Sequence, residues 1–269
     1  MRWRLAYSSP TRDGHALEAL FRRCGALGLN GLQLRPEQYG LFLGDPAGFL
    51  GRWSQWVPLI CGLRVCCDVR SDPALEHFEK TIDLAVGIDG DLLVLAAEGP
   101  PVSGDLRTRD EALARLEHFG RAARSKGLRL SVSNEADGLV ASRRDLETLA
   151  GAANADALGL TLNTAQLVLA GETDLGSLAR DFCDRLDNIH LTDIARSRFP
   201  MLEDNRTEPR RLGEGDVDFR PLFEALAAMD YAGWLTVEGL ADGAGEAADE
   251  MSRAVAFLRR FGLAHDSPE

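Results

Sequence analysis

The chain has 269 residues, with 30 Lys and Arg against 42 Asp and Glu, a formal charge of −12. A composition that is 45% hydrophobic and 27% charged is that of an ordinary globular protein able to bury one large core. The acidic balance argues against a nucleic-acid surface, which needs clustered excess Arg and Lys.

Taken in chain order, short apolar, β-branched runs alternate with segments of helical period. A strand at residues 4–8 precedes a helix at 15–27, and a strand at 31–34 precedes a helix at 47–57. The pairs continue as 63–69 with 74–86, 91–96 with 109–126, 128–133 with 143–153, and 158–162 with 175–186. The last two strands, 188–192 and 235–239, precede helices at 219–229 and 246–261. Gly28, Gly87 and Gly127 stop three of the helices, while Asp218 and Pro221 suit the start of the helix at 219. Eight strands each followed by a helix is the arithmetic of a (β/α)₈ TIM barrel in one domain covering residues 1–269. A doubly wound sheet is the competing layout, but no glycine-rich fingerprint opens a first helix. No apolar run of 18 residues suggests a membrane span, and the start Met1-Arg2-Trp3-Arg4 lacks the apolar stretch of a signal peptide. Five cysteines without metal-finger spacing are expected to be reduced thiols of a cytoplasmic protein.

In such a barrel, function belongs at the C-terminal ends of the strands and in the loops that follow. That rule acts strongly on the scarce residues. The two lysines, Lys80 and Lys126, fall in helices, which argues against Schiff-base chemistry. Of the five histidines, His15, His77 and His118 fall in helices and His265 in the tail, leaving His190 alone in a strand. Four strand ends carry chemistry: Ser133-Asn134-Glu135, Asn163-Thr164-Ala165-Gln166, His190-Leu191-Thr192-Asp193 and Thr236-Val237-Glu238.

The stretch Leu212-Gly213-Glu214-Gly215-Asp216-Val217-Asp218-Phe219, followed by Tyr231-Ala232-Gly233-Trp234-Leu235-Thr236-Val237-Glu238, resembles the end of the sugar isomerase/epimerase superfamily, the xylose isomerase-like barrels. The resemblance implies proton-transfer chemistry on a small polyhydroxylated or carbonyl substrate, with a homo-oligomer as an alternative to a monomer. The same group includes DNA-repair endonucleases, against which the charge of −12 and the single usable His argue, and no membrane partner is expected. The resemblance also implies a divalent metal (Mn, Mg, Co or Zn) at the strand ends. His190 and Glu238 match two of the family's four ligands. Ser133 stands where the family has a carboxylate, and Asn163 and Gln166 where it has Asp and His, so the implied metal site is degenerate. On this reading Glu238 is the base and His190 its neighbour, both also metal ligands, while Asn163, Gln166, Asn134, Glu135 and Ser133 contact the substrate. The alternative is a metal-free barrel that binds a small ligand or partner without catalysis. Glu135 by itself reads as solvated.

Residues 193–216 show no clear period and contain Arg196, Arg198, Arg206, Arg210 and Arg211, guanidinium forks suited to a substrate carboxylate or phosphate. Arg211 is the candidate substrate contact among them. Gly213 and Gly215 read as turn residues, Cys66-Cys67 as core filler, and Arg35 and Asp68 as residues ending strands two and three near the pocket.

Overall fold

Eight parallel strands close into a barrel in the computed structural model, which describes residues 3–104, 106–154, 156–196 and 207–264. In chain order the elements are β1 (Arg4–Ser8), α1 (Gly14–Ala26), β2 (Gly31–Leu34), α2 (Pro36–Tyr39), α3 (Pro46–Trp53), β3 (Ile60–Asp68), α4 (Asp72–Gly87), β4 (Leu92–Glu98), α5 (Leu106–Ser125), β5 (Arg129–Ser133), α6 (Arg143–Ala152) and β6 (Leu158–Asn163). Then come α7 (Thr164–Leu169), α8 (Leu175–Asp181), β7 (Leu186–Leu191), β8 (Asp193–Arg196), β9 (Thr207–Arg210), α9 (Arg220–Ala228), β10 (Trp234–Glu238) and α10 (Ala244–Arg259). Around the barrel the order is β1-β10-β7-β6-β5-β4-β3-β2, with β8 and β9 forming a separate antiparallel ribbon. The expected (β/α)₈ layout is therefore the observed one.

Three expectations need correction. The helix expected at 47–57 ends at Trp53 and gives way to a 3-10 stretch, Ser54–Leu59, because Pro58 cannot continue an α-helix. The helix expected at 175–186 ends at Asp181. The aperiodic stretch after Asp193 contains the β8–β9 ribbon, paired from Asp193↔Arg210 to Arg196↔Thr207. Arg198 and Arg206, like His265, lie outside the described residues.

The register decides which side chains enter the barrel. Ser8 pairs with Glu238, Thr236 with His190, His190 with Asn163, Thr161 with Ser133, Ser133 with Ala96, Ala96 with Cys66, and Arg64 with Val94. Because side chains alternate along a strand, these residues share the inner surface, and the leucines and valines between them face the helices. The lumen carries buried polar pairs: Ser131 and Thr161 hydroxyls meet at 2.7 Å, and Thr236 Oγ1 donates to Asn188 Oδ1 at 2.9 Å. At the N-terminal end Arg129 clamps Asp187 with Nε at 2.9 Å, and a Cβ on Gly159 would come within 1.5 Å of that carboxylate. Glycine is required there. The larger apolar core lies outside this lumen, where Leu20, Leu34, Leu63, Leu93, Phe78 and Phe119 are fully buried, and a smaller cluster of Ala6, Cys61, Leu92, Val94 and Trp234 packs within the barrel.

Candidate active site

At the C-terminal mouth of the barrel lies a cavity of about 310 Å³, lined among others by Arg35, Arg64, Glu135, Asn163, Gln166 and Glu238. The ribbon covers one side of it through Asp193, Ile194, Thr207, Pro209 and Arg210. The volume is at the small end of ligand pockets, the size of one sugar-like ring.

Its organising element is an arginine the motifs do not reveal. Arg64, in the middle of β3, sends its guanidinium up the lumen; Nη1 donates to Glu238 Oε1, and Nη2 donates to Glu135 Oε1 at 2.9 Å. Arg64 is 14% exposed and Glu238 8%, so both charges are taken out of water and depend on each other. Arg35 adds a second cation: Nη2 stands 3.9 Å from Glu238 Oε1, and Nε donates to Ser8 Oγ at 2.9 Å. Asn163 completes the ring, its Nδ2 donating to Glu238 Oε2 at 3.3 Å. Burial is the largest single influence on Glu238 and opposes its charge, but Arg64, His190 and Arg35 together outweigh it and hold the carboxyl down at about 2. Glu135 is moved the other way: burial raises its pKa against the pull of Arg64, and the charge of Glu238 adds to the rise.

The expected residues divide into two groups. Glu238, Glu135, Asn163 and Gln166 come together on the cavity wall. Glu135, which reads as solvated in the sequence, is mostly buried, with 22% of its side chain exposed. Asn163 both faces the cavity and caps α7, its Oδ1 accepting from Thr192 Oγ1 at 2.5 Å and Gln166 N at 3.4 Å. Gln166 accepts from Ala136 N at 2.9 Å, which ties down the loop that carries Glu135.

The other group does not reach the cavity. Asn134 is fully buried and stitches β5 to β6, with Oδ1 accepting from Asn163 N at 2.7 Å and Nδ2 donating to Asn163 O at 3.2 Å. Ser133 is buried beneath Glu135 and contacts its Oε1 at 3.4 Å. His190 is also fully buried. Its Nε2 lies 2.8 Å from Gln33 Oε1, and Nδ1, without a hydrogen-bond partner, faces Glu238 Oε1 at 3.5 Å. Burial drives the imidazole down to about 4 despite Glu238, so the ring is neutral near pH 7. It supports Glu238 from below and cannot touch a ligand in the cavity. Arg211 is one residue past the ribbon and lines an adjoining cleft with Glu214 and Glu246 but not the mouth, whereas Arg210 lines both. Of the two residues read as ending strands near the pocket, Arg35 lines it and Asp68 instead pairs with Arg70.

Asp193 explains the glycine motif. Its carboxylate accepts from the backbone of Ile194, Gly213, Gly215 and Val217 at 2.9, 2.9, 2.9 and 3.2 Å, anchoring the ribbon to the loop before α9. Gly213 has φ +85°, and a Cβ on Gly215 would stand 2.2 Å from Asp193 Oδ1, so both glycines are turn residues that let the backbone wrap the carboxylate. Asp193→Ala strands those amides, of which Ile194 and Val217 are buried, and is expected to cost at least about 2 kcal/mol in denaturant unfolding. Loss of hydrogen-exchange protection at Gly213 and Gly215 is expected with it, and full protection would refute the anchor.

The residues at the mouth do not fit a divalent ion. Of the four positions, Ser133 and Asn163 are neutral, Glu238 Oε1 is engaged by the Arg64 cation, and His190 supplies one neutral nitrogen. Among the described residues, no group of three or more His, Cys, Asp or Glu side chains is arranged to hold a metal.

The described residues contain no helix long and apolar enough to cross a membrane, and the five cysteines are free thiols. Among relatives, an inosose dehydratase of Bacillus cereus (strain AH820) is 24% identical over 196 residues, which are 64% of this chain and 64% of that protein. The matching stretch is thus less than two thirds of the relative's length. The crystal structure of the probable 3-DHS dehydratase AsbF from Bacillus anthracis superposes with a TM-score of 0.77 at 12% identity, over 96% of this chain and 99% of the other. The IOLI protein, solved with a bound zinc atom, superposes with a TM-score of 0.71 at 14% identity, over 98% and 100% of the two chains. These structures share the fold. The profile of the xylose isomerase-like TIM barrels matches residues 68–261, most of the barrel and the whole of its mouth from β4 onward. On that match, and on the closed eight-stranded barrel with its polar mouth, this chain belongs to the xylose isomerase-like TIM barrel family.

Proposed function

We propose that the protein is a cytoplasmic enzyme that moves a proton on the carbon beside the carbonyl of a small polyhydroxylated substrate, with dehydration as its reaction. The dehydratases among its relatives support this reading. The observation that carries it is the pairing, on one cavity wall, of a carboxylate raised by burial, Glu135, with a fixed guanidinium, Arg64, at 2.9 Å. Glu135 takes the proton from carbon; the electron pair moves toward the carbonyl oxygen, where Arg64 and Arg35 stabilise the enolate charge. Expulsion of the hydroxyl on the next carbon, carrying the proton returned by Glu135, then releases water and leaves a carbon–carbon double bond. The same first step followed by return of the proton to a neighbouring atom is an isomerisation. Glu238 serves as the anion that positions Arg64, since a carboxyl held at about 2 is a weak base. Asn163, Gln166 and Arg210 bind the hydroxyls.

A panel of cyclitol ketones and ketoses incubated with the protein in D₂O tests this by NMR. Exchange of the hydrogen beside the carbonyl, with or without loss of water, is the expected result. A ligand that raises the thermal midpoint yet shows no exchange would instead make the protein a non-catalytic binder of the same fold.

A further inference from the structure

We infer that the Arg64 guanidinium occupies the place of a divalent cation at the barrel mouth, making the site carry its own positive charge and work without a metal ion. Three independent features of the mouth agree on this. First, the guanidinium and a metal would compete for the same atom, because Arg64 Nη1 donates to Glu238 Oε1, the oxygen that His190 Nδ1 faces at 3.5 Å. A hard dication drawn to that oxygen would also stand against a buried like charge. Second, Asn163 offers Glu238 a donor: its Nδ2 reaches Oε2 at 3.3 Å. A carboxylate in that position would face Glu238 with no proton between them and would need a cation to hold the two together. Third, Ser133 is small and buried, and Glu135 folds back over it to reach the Arg64 fork. Arg64 and Arg35 thus stand against Glu238 and Glu135, two cations against two anions, with no charge left for a metal to neutralise.

The fork also does what a metal at this place would be asked to do. It is anchored through two nitrogens to two carboxylates, lines the cavity, and presents positive charge where oxygen charge would develop. The ligand class that fits is a neutral carbonyl compound whose oxygen accepts from a guanidinium.

Metal content and thermal midpoint test the cation seat separately from turnover, so a failure of the proposed dehydration would leave these readouts intact. The purified protein is incubated with Mn²⁺ or Co²⁺, desalted, and assayed by elemental analysis. Less than about a tenth of an equivalent is expected, with no change of melting temperature on adding chelator. Arg64→Ala combined with Asn163→Asp frees Glu135, Glu238 and His190 and adds an anion; about one equivalent of Co²⁺ is expected, with its visible absorption band and a metal-dependent rise in melting temperature. If the double variant folds only with metal present, that dependence is the same positive result. One tightly held equivalent in the native protein, lost in Glu238→Gln, would overturn the inference. So would a folded double variant that stays as empty as the native chain.

Discussion

Replacing Glu238 with alanine should cost about 3–5 kcal/mol of unfolding free energy, among the largest effects a single side chain in this protein can have. Glu238 is 8% exposed and Arg64 14%, and Arg64 Nε already has no partner. Without Glu238 the guanidinium keeps only Glu135, Arg35 loses its nearest anion, and the Nδ2 of Asn163 loses its acceptor. The cost comes from stranding these groups, since a buried pair taken as a whole stabilises little once desolvation is counted. A double-mutant cycle separates the two contributions. Arg64→Met with Glu238→Leu removes both charges and fills the volume, and it should be clearly more stable than Glu238→Ala alone. Guanidinium denaturation at pH 7 reads all four corners of the cycle. A loss below about 1 kcal/mol for Glu238→Ala would mean that the pair behaves like an exposed one and does not organise the mouth.

How much of this could be read from the chain follows from the range over which each signal acts. The barrel strands announce themselves because each is a short local run rich in apolar residues, most with β-branched ones among them, alternating with segments of helical period. The placing of Glu238, Asn163 and Gln166 at the mouth follows from strand ends alone. Arg64 is different: inside β3 it is one charged residue in an apolar run. Whether it faces the helices or the lumen depends on a register set by β4, where it pairs with Val94. Glu135 lies two residues beyond β5 and looks solvated until the loop is seen pinned back by Gln166 and the fork of Arg64. The reverse error occurs at Asn134 and His190, polar residues at strand ends that turn inward, Asn134 to bond the adjacent β6 and His190 to reach across the lumen to Gln33 of β2. The β8–β9 ribbon is hidden for a third reason, since its strands are four residues each and are fixed by Asp193 bonds reaching 20 residues and more along the chain.

Glu135→Gln should lower kcat by about 10²–10⁴-fold, with a much smaller change in KM, because the amide keeps the shape and the contact with the cavity but cannot accept a proton from carbon. The pH dependence adds a signature that simple damage to the cavity would not produce. A base acts when ionised, and burial raises the Glu135 carboxyl above its ordinary value of about 4.3. The kcat/KM of the native enzyme should therefore fall as pH drops through that raised value, giving an acidic limb above the usual carboxylate range. Glu238 cannot supply this limb, because its pKa is displaced to about 2, and the buried imidazole of His190 titrates near 4. The direction of movement thus distinguishes the three groups. In the unliganded protein Arg64 lowers the Glu135 pKa against burial, so substituting Arg64 with glutamine should move the acidic limb to still higher pH while slowing the reaction. Glu135→Gln retaining turnover to within about threefold would remove Glu135 from the chemistry. An acidic limb unmoved by Arg64→Gln would separate the base from the guanidinium that the structure places beside it.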